Sequence, residues 1–218
     1  MIIAGEVSSP MRLPDIALWQ AFTDGHRFAT KNGETVSTRI ADAGALVLPT
    51  GRIVVSDPIL DPWNKPFSVV VPPGAYPVLL SLIRDEVALA MVRLGEASPV
   101  EWKRTKPDSF NVDSATGCFM DHKVSRFLRR RAECDNFEKY MHGFQSALHE
   151  QEGRWANCCL DRESGANVVL FRTCGGDGIF PCFFGFGSNG SAVCLIVDMF
   201  LCYEHVIGSA SGTPPAAT

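Results

Sequence analysis

The sequence has no long hydrophobic run. Its longest apolar stretch, residues 76–83, ends at Arg84, Asp85 and Glu86 and is far too short for a helix that crosses a bilayer, so no membrane partner is expected. Positive charge is scarce as well: Lys and Arg total 20 against 24 Asp and Glu, a formal net charge of −4 over 218 residues. A broad nucleic-acid footprint needs a net or clustered positive face, so nucleic acid is not expected as a partner either. The one basic cluster, Arg126, Arg129, Arg130 and Arg131, falls in an expected helix and is followed at once by Glu133 and Asp135. It reads more readily as a solvated helix face than as an anion or partner contact.

Several chemistries lack their residue patterns. None of the eight cysteines forms a CxxC pair. Cys158 and Cys159 are adjacent and would point to opposite faces of an extended segment, so the cysteines suggest no metal site. The first residues lack a basic segment followed by a sustained apolar one, so no secretion signal is expected, and the cysteines fit a reducing cytoplasm as small buried hydrophobes. The five histidines make no HxH or HExxH arrangement, and neither a GxSxG elbow nor a GxxxxGK[ST] loop occurs. No catalytic residue and no cofactor can be named.

What is present is ordinary for a globular chain: 46% hydrophobic and 20% charged residues, enough for one core. We expect one domain over residues 1–206 and a small-residue, Pro-containing, disordered tail at 207–218. The run GALVLPTGRIVVSDP (44–58) predicts a hairpin about Thr50-Gly51, and PFSVVVPPG (66–74) a short strand over 67–71. PVLLSLIRDEVALAMVRL (77–94) suits a hairpin bent at Arg84-Asp85-Glu86 better than a helix. PVEWKRT (99–105) and FNVDS (110–114) suggest further strands. Phe137, Tyr140, Met141, Phe144 and Leu148 fall on one helical stripe, with Asp135 as a plausible N-cap. Asn189-Gly190 is a strong two-residue hairpin turn. It sets Phe186 opposite Val193, Phe184 opposite Leu195 and Cys182 opposite Val197, while Cys194 falls on the other face. Both faces are largely apolar, as in a sheet buried on two sides. The expected fold is α+β, mainly antiparallel hairpins in a sheet or sandwich with one long helix packed on it.

Polar chemistry concentrates in two motifs. In CGGDGIFP (174–181), Gly175, Gly176 and Gly178 surround Asp177, which allows positive φ and presents N–H groups or a carboxylate to a ligand. An Asp177 that caps its own backbone is the bland reading. Pro181 lies opposite Asp198 in the register above, which would bring Asp177 and Asp198 to one sheet end. In FNVDSATGCFMD (110–121), Asp113 and Asp121 flank a short connection with Ser114 and Gly117. These two could display function at strand ends, or simply form an Asx-turn and a helix N-cap. Asp57 also ends a strand.

The succession LVLPTGRIVVSDP, FSVVVPPGAYPV, FNVDSATGCFMD and GGDGIFPCFFGFGSNGSAVCLIVDMF resembles the bacterial family called domain of unknown function 4241, over roughly 44–200. Phe180 stands where that family usually has tyrosine, and Met199 where an aromatic is usual; 124–161 matches poorly. The resemblance implies a shared fold and a shared site around Asp57, Gly74, Asp113, Gly117, Asp121, Gly176, Asp177 and Gly178, and no particular activity. The leading expectation is a cytoplasmic domain that binds a small ligand or a protein partner through Asp57, Asp113, Ser114, Gly117, Asp121, Gly176, Asp177 and Gly178. The alternative is a divalent-metal hydrolase built on the same aspartates, should they converge.

Overall fold

Strand-forming residues dominate this chain and sort into two antiparallel sheets. A computed structural model describes residues 15–30, 32–62, 64–134, 137–150, 153–201 and 208–209. The elements run α1 (Asp15–Gln20), β1 (Arg27–Ala29), β2 (Thr35–Leu48), β3 (Ile53–Ser56), β4 (Gly74–Ile83), β5 (Glu86–Arg93), β6 (Glu101–Lys103), β7 (Ser109–Val112), β8 (Thr116–Asp121), α2 (His122–Ala132), α3 (Glu138–Glu150), β9 (Trp155–Cys159), β10 (Asn167–Arg172), β11 (Gly178–Phe186), β12 (Ala192–Asp198) and β13 (Gly208–Ser209). The larger sheet has the order β13-β1-β2-β4-β5-β12-β11-β6, with β7 also pairing β11, and the smaller β3-β8-β10-β9. The fold is therefore α+β, mostly antiparallel strand.

Alternation along the strands explains how the sheets stack. Residues two apart share a face, so a strand apolar at every position must be covered on both sides. In β12, Leu195 and Val197 enter the core between the sheets, while Cys194 and Ile196 enter a second core with Leu18, Ala21 and Phe28. The small sheet behaves alike. Phe119, Val169 and Phe171 face the central core, and Cys118, Met120, Val168 and Leu170 face a third core with Val124, Leu128, Phe144 and Leu148 of the helices.

The β11–β12 pairing matches the expected register at Cys182↔Val197 and Phe184↔Leu195, then slips at a bulge so that Phe186 meets Ala192 instead of Val193. Cys182 and Cys194 do lie in different cores. The β4–β5 hairpin turns at Arg84 and Asp85, both at positive φ. Pro77 does not open β4 as expected but lies inside it opposite Ala45, beside the bulge in β2, where a missing ladder N–H is tolerated.

Three expectations fail. β2 and β3 form no hairpin: β2 pairs β1 and β4, β3 pairs β8, so the Thr50-Gly51 turn carries the chain from one sheet to the other. Residues 67–71 are not a strand, and only Val70 makes an isolated bridge, to Arg52. The helical layer is not one long helix but two of similar length, α2 with 11 residues and α3 with 13, joined by a Phe127–Tyr140 edge-to-face contact at 5.6 Å. The arginine-rich outer face of α2 hides a buried stripe of Val124, Ser125 and Leu128. The proposed N-cap Asp135 lies outside the described residues, as does the tail except for Gly208 and Ser209, which pair with β1.

The crossing turn is tight. Gly51 has φ +66°, and a Cβ there would sit 1.8 Å from the Val71 carbonyl oxygen. Gly175 has φ +82° but open space around it. Gly51→Ala should therefore cost about 2–4 kcal/mol in denaturant unfolding, from clash plus strain, against about 1 kcal/mol for Gly175→Ala, from strain alone.

Candidate functional site

Asp57 follows β3 and is 1% exposed. Its Oδ1 accepts from the amides of Ile59 (2.9 Å) and Leu60 (3.0 Å) and from Ser114 Oγ (2.8 Å), and its Oδ2 accepts from the Asp113 amide (3.0 Å). A buried carboxylate is tolerated when its lone pairs are filled this way. Asp57 thus ties the turn after β3 to the β7–β8 connection and keeps little capacity for a ligand.

That connection meets the glycine-rich turn. Asp177 is exposed, and its Oδ1 accepts from the Ala115 amide at 2.8 Å, so it caps a remote backbone and not its own. The Thr173 amide donates to the Ala115 carbonyl (3.1 Å), and Arg172 Nη1 donates to Thr116 Oγ1 (3.1 Å). Ala115 is held at φ +51°, a strained conformation for a residue with a side chain. Asp113 is exposed and accepts from Asn111 Nδ2 (2.7 Å). Gly117 serves packing: a Cβ there would meet the Phe171 ring at 2.6 Å. Gly176 has positive φ, whereas Gly178 simply starts β11. Gly74, the first residue of β4, lies against Tyr76.

Asp57, Asp113, Ser114 and Asp177 therefore gather at one end, and Asp121 does not. Ile53 pairs Asp121 while Ser56 pairs Cys118, so Asp121 sits at the opposite end of β8, roughly 17 Å from Thr116 at strand rise. There it is the N-cap of α2, fully buried, accepting from Thr50 N and Oγ1 (both 2.9 Å) and Lys123 N (2.7 Å). Asp198 is buried too, its Oδ1 accepting from the amides of Phe200 and Leu201. Among the described residues no three His, Cys, Asp or Glu side chains are grouped to hold a metal ion.

The front of the glycine-rich turn opens on a cleft of about 430 Å³ lined by residues 173–176, Asp85, Glu86, Val87, Gly153, Arg154 and Arg172. Cys174 Sγ lies 3.2 Å from Glu86 Oε2, and Asp85 pairs with Arg39 at 2.9 Å. Sequence reasoning missed Glu86, Arg154, Arg172 and Cys174. The bend at 84–86 was legible, but nothing local indicates that it and the turn at Gly153 and Arg154 meet the 173–176 turn. Burial pushes the Cys118 and Cys194 thiols up to about 12 and raises Cys182 as well, which disfavours the reactive thiolate.

Asp57→Ala should cost about 3–5 kcal/mol in denaturant unfolding, because it strands buried donors. Asp177→Ala, exposed and holding one amide, should cost far less. Burial lowers His26 and His122 below 6.5, and for His122 Arg126 and Arg52 add to the effect. On acidification these histidines protonate in the unfolded chain before the folded one. Stability should therefore fall from neutral pH to about pH 5, with a shallower slope in His26→Gln; unfolding free energies across that range measure it.

No curated protein and no solved structure matches the chain. No helix among the described residues is long and apolar enough to cross a membrane. The family model described as protein of unknown function (DUF4241) matches residues 46–197, a span running from the end of β2 to the end of β12 and taking in the Asp57 turn, the 113–115 connection and the glycine-rich turn. The chain belongs to that family.

Proposed function

We propose that this chain is a cytoplasmic binding domain for a small charged ligand, taken up in the cleft in front of residues 173–178. One observation carries the reading. The turn is anchored from behind through Asp177 and Thr173 to Ala115, while Gly175 and Gly176 have open space in front of them and share their cleft with Arg154, Arg172 and Glu86. Preformed polar groups of both signs around accessible backbone suit a ligand with an anionic group for the guanidiniums and a donor for the carboxylate. Asp177 then shapes the loop through Ala115, and Asp57 holds the 113–115 connection in place. A metal-assisted hydrolase is the weaker reading, because Asp57 is saturated by donors and Asp121 lies at the far end of β8.

Amide spectra titrated with small carboxylates, phosphates and amino acids test it. Amides of 173–178 should move saturably, Gly175→Val should abolish the response, and Asp177→Ala should weaken it several-fold by loosening the turn. A panel that leaves those amides still removes the proposal.

A further inference from the structure

A second cleft, of about 280 Å³, lies at the other end of β8 and is lined by Thr50, His122, Lys123, Arg126, Phe127 and Arg130. Its walls are fixed by the sequence. Asp121 locks Thr50 onto the first turn of α2, and the His122 amide donates to the Arg52 carbonyl at 2.9 Å, which brings Arg52 alongside. His122, Arg126 and Arg130 then follow at i, i+4 and i+8 on one helix face, a spacing at which like charges repel. Lys123 is paired with Asp161 at 3.0 Å, but among the described residues no carboxylate pairs with Arg52, Arg126 or Arg130. The repulsion reaches the imidazole: after burial, Arg126 and Arg52 lower His122, against the neighbouring Asp121 carboxylate, which raises it. These arginines concentrate positive charge in a chain whose net charge is −4.

The wall of the cleft is itself almost wholly apolar. Phe127 gives it an aromatic wall, backed by Tyr140 edge-on at 5.6 Å and by the Arg131 guanidinium at 5.0 Å from the ring centre, and the stems of Arg126 and Arg130 add apolar length. We propose that this cleft binds a small organic anion, a phosphate or carboxylate with a flat apolar body. The charged head meets Arg126, Arg130 and His122, relieving their mutual repulsion, and the body lies against Phe127. The site is separate from the glycine-rich cleft and stands or falls independently of it.

Phenyl phosphate is the probe, with inorganic phosphate and phenol as comparators, read by the His122 ring resonances and by calorimetry on the full chain. Phenyl phosphate should bind saturably in the millimolar range or tighter and raise the His122 pKa, because a bound anion favours the imidazolium. Inorganic phosphate should bind more weakly, and phenol should leave the histidine unmoved. The double variant R126Q/R130Q changes exposed side chains only, and circular dichroism should show it folded. It should lose at least tenfold in affinity while raising His122 in the free protein. Gly175→Val should leave phenyl phosphate binding intact, which separates this test from that of the other cleft. Absence of saturable binding, equal affinity in the double variant, or phenol binding as tightly as phenyl phosphate would each overturn the proposal.

Discussion

The carboxylate of Asp57, buried at the end of β3, holds the candidate site together. Its oxygens take the Ile59, Leu60 and Asp113 amides and the Ser114 hydroxyl. A carboxyl group so far from water persists because its oxygens are met by four donors, and each donor would be costly to bury without it. That requirement fixes the position of the 113–115 connection, whose left-handed Ala115 in turn receives Asp177 and Thr173. A chain of satisfied polar groups thus runs from the small sheet to the glycine-rich turn.

The sheets that carry these turns depend on a different constraint. Strands β5, β8, β10 and β12 are apolar on both faces and need covering on both, which yields three cores in succession: beneath α1, between the sheets, and beneath α2 and α3. Placed between such layers, β8 runs buried between β3 and β10. Its two ends carry the two clefts, one reached through the 113–115 connection and the other through Asp121 and α2, so the two are lined by separate sets of residues. The first cleft mixes charges of both signs, and the second collects positive charge against an aromatic ring.

Much of the fold was legible locally. Asn189-Gly190 dictates a tight hairpin, and the alternation of β11 and β12 sets its register up to the bulge at Gly185/Phe186. The 84–86 bend and the apolar stripe of α3 were readable for the same reason: each depends on residues near one another in sequence. The failures share a cause as well. Residues 46–56 look like a hairpin because two β-rich runs flank a turn, yet β3 finds its partner in β8, more than sixty residues on. Helix α2 was underrated because its outer arginines mask the few residues it buries.

By itself the sequence determined many of the elements, the two-faced burial of β11 and β12 and the concentration of acidic and glycine residues in turns, since these follow from periodicity and backbone preference. It also determined that Asp121 would suit a helix N-cap. Only the tertiary structure decided which turns meet. Convergence depends on strand pairing at long range, and pairing is settled by which complete set of buried faces packs best. That is why Asp57, Asp113, Ser114 and Asp177 came together without Asp121, and why Glu86, Arg154 and Arg172 joined the glycine-rich turn from places that no local signal linked to it.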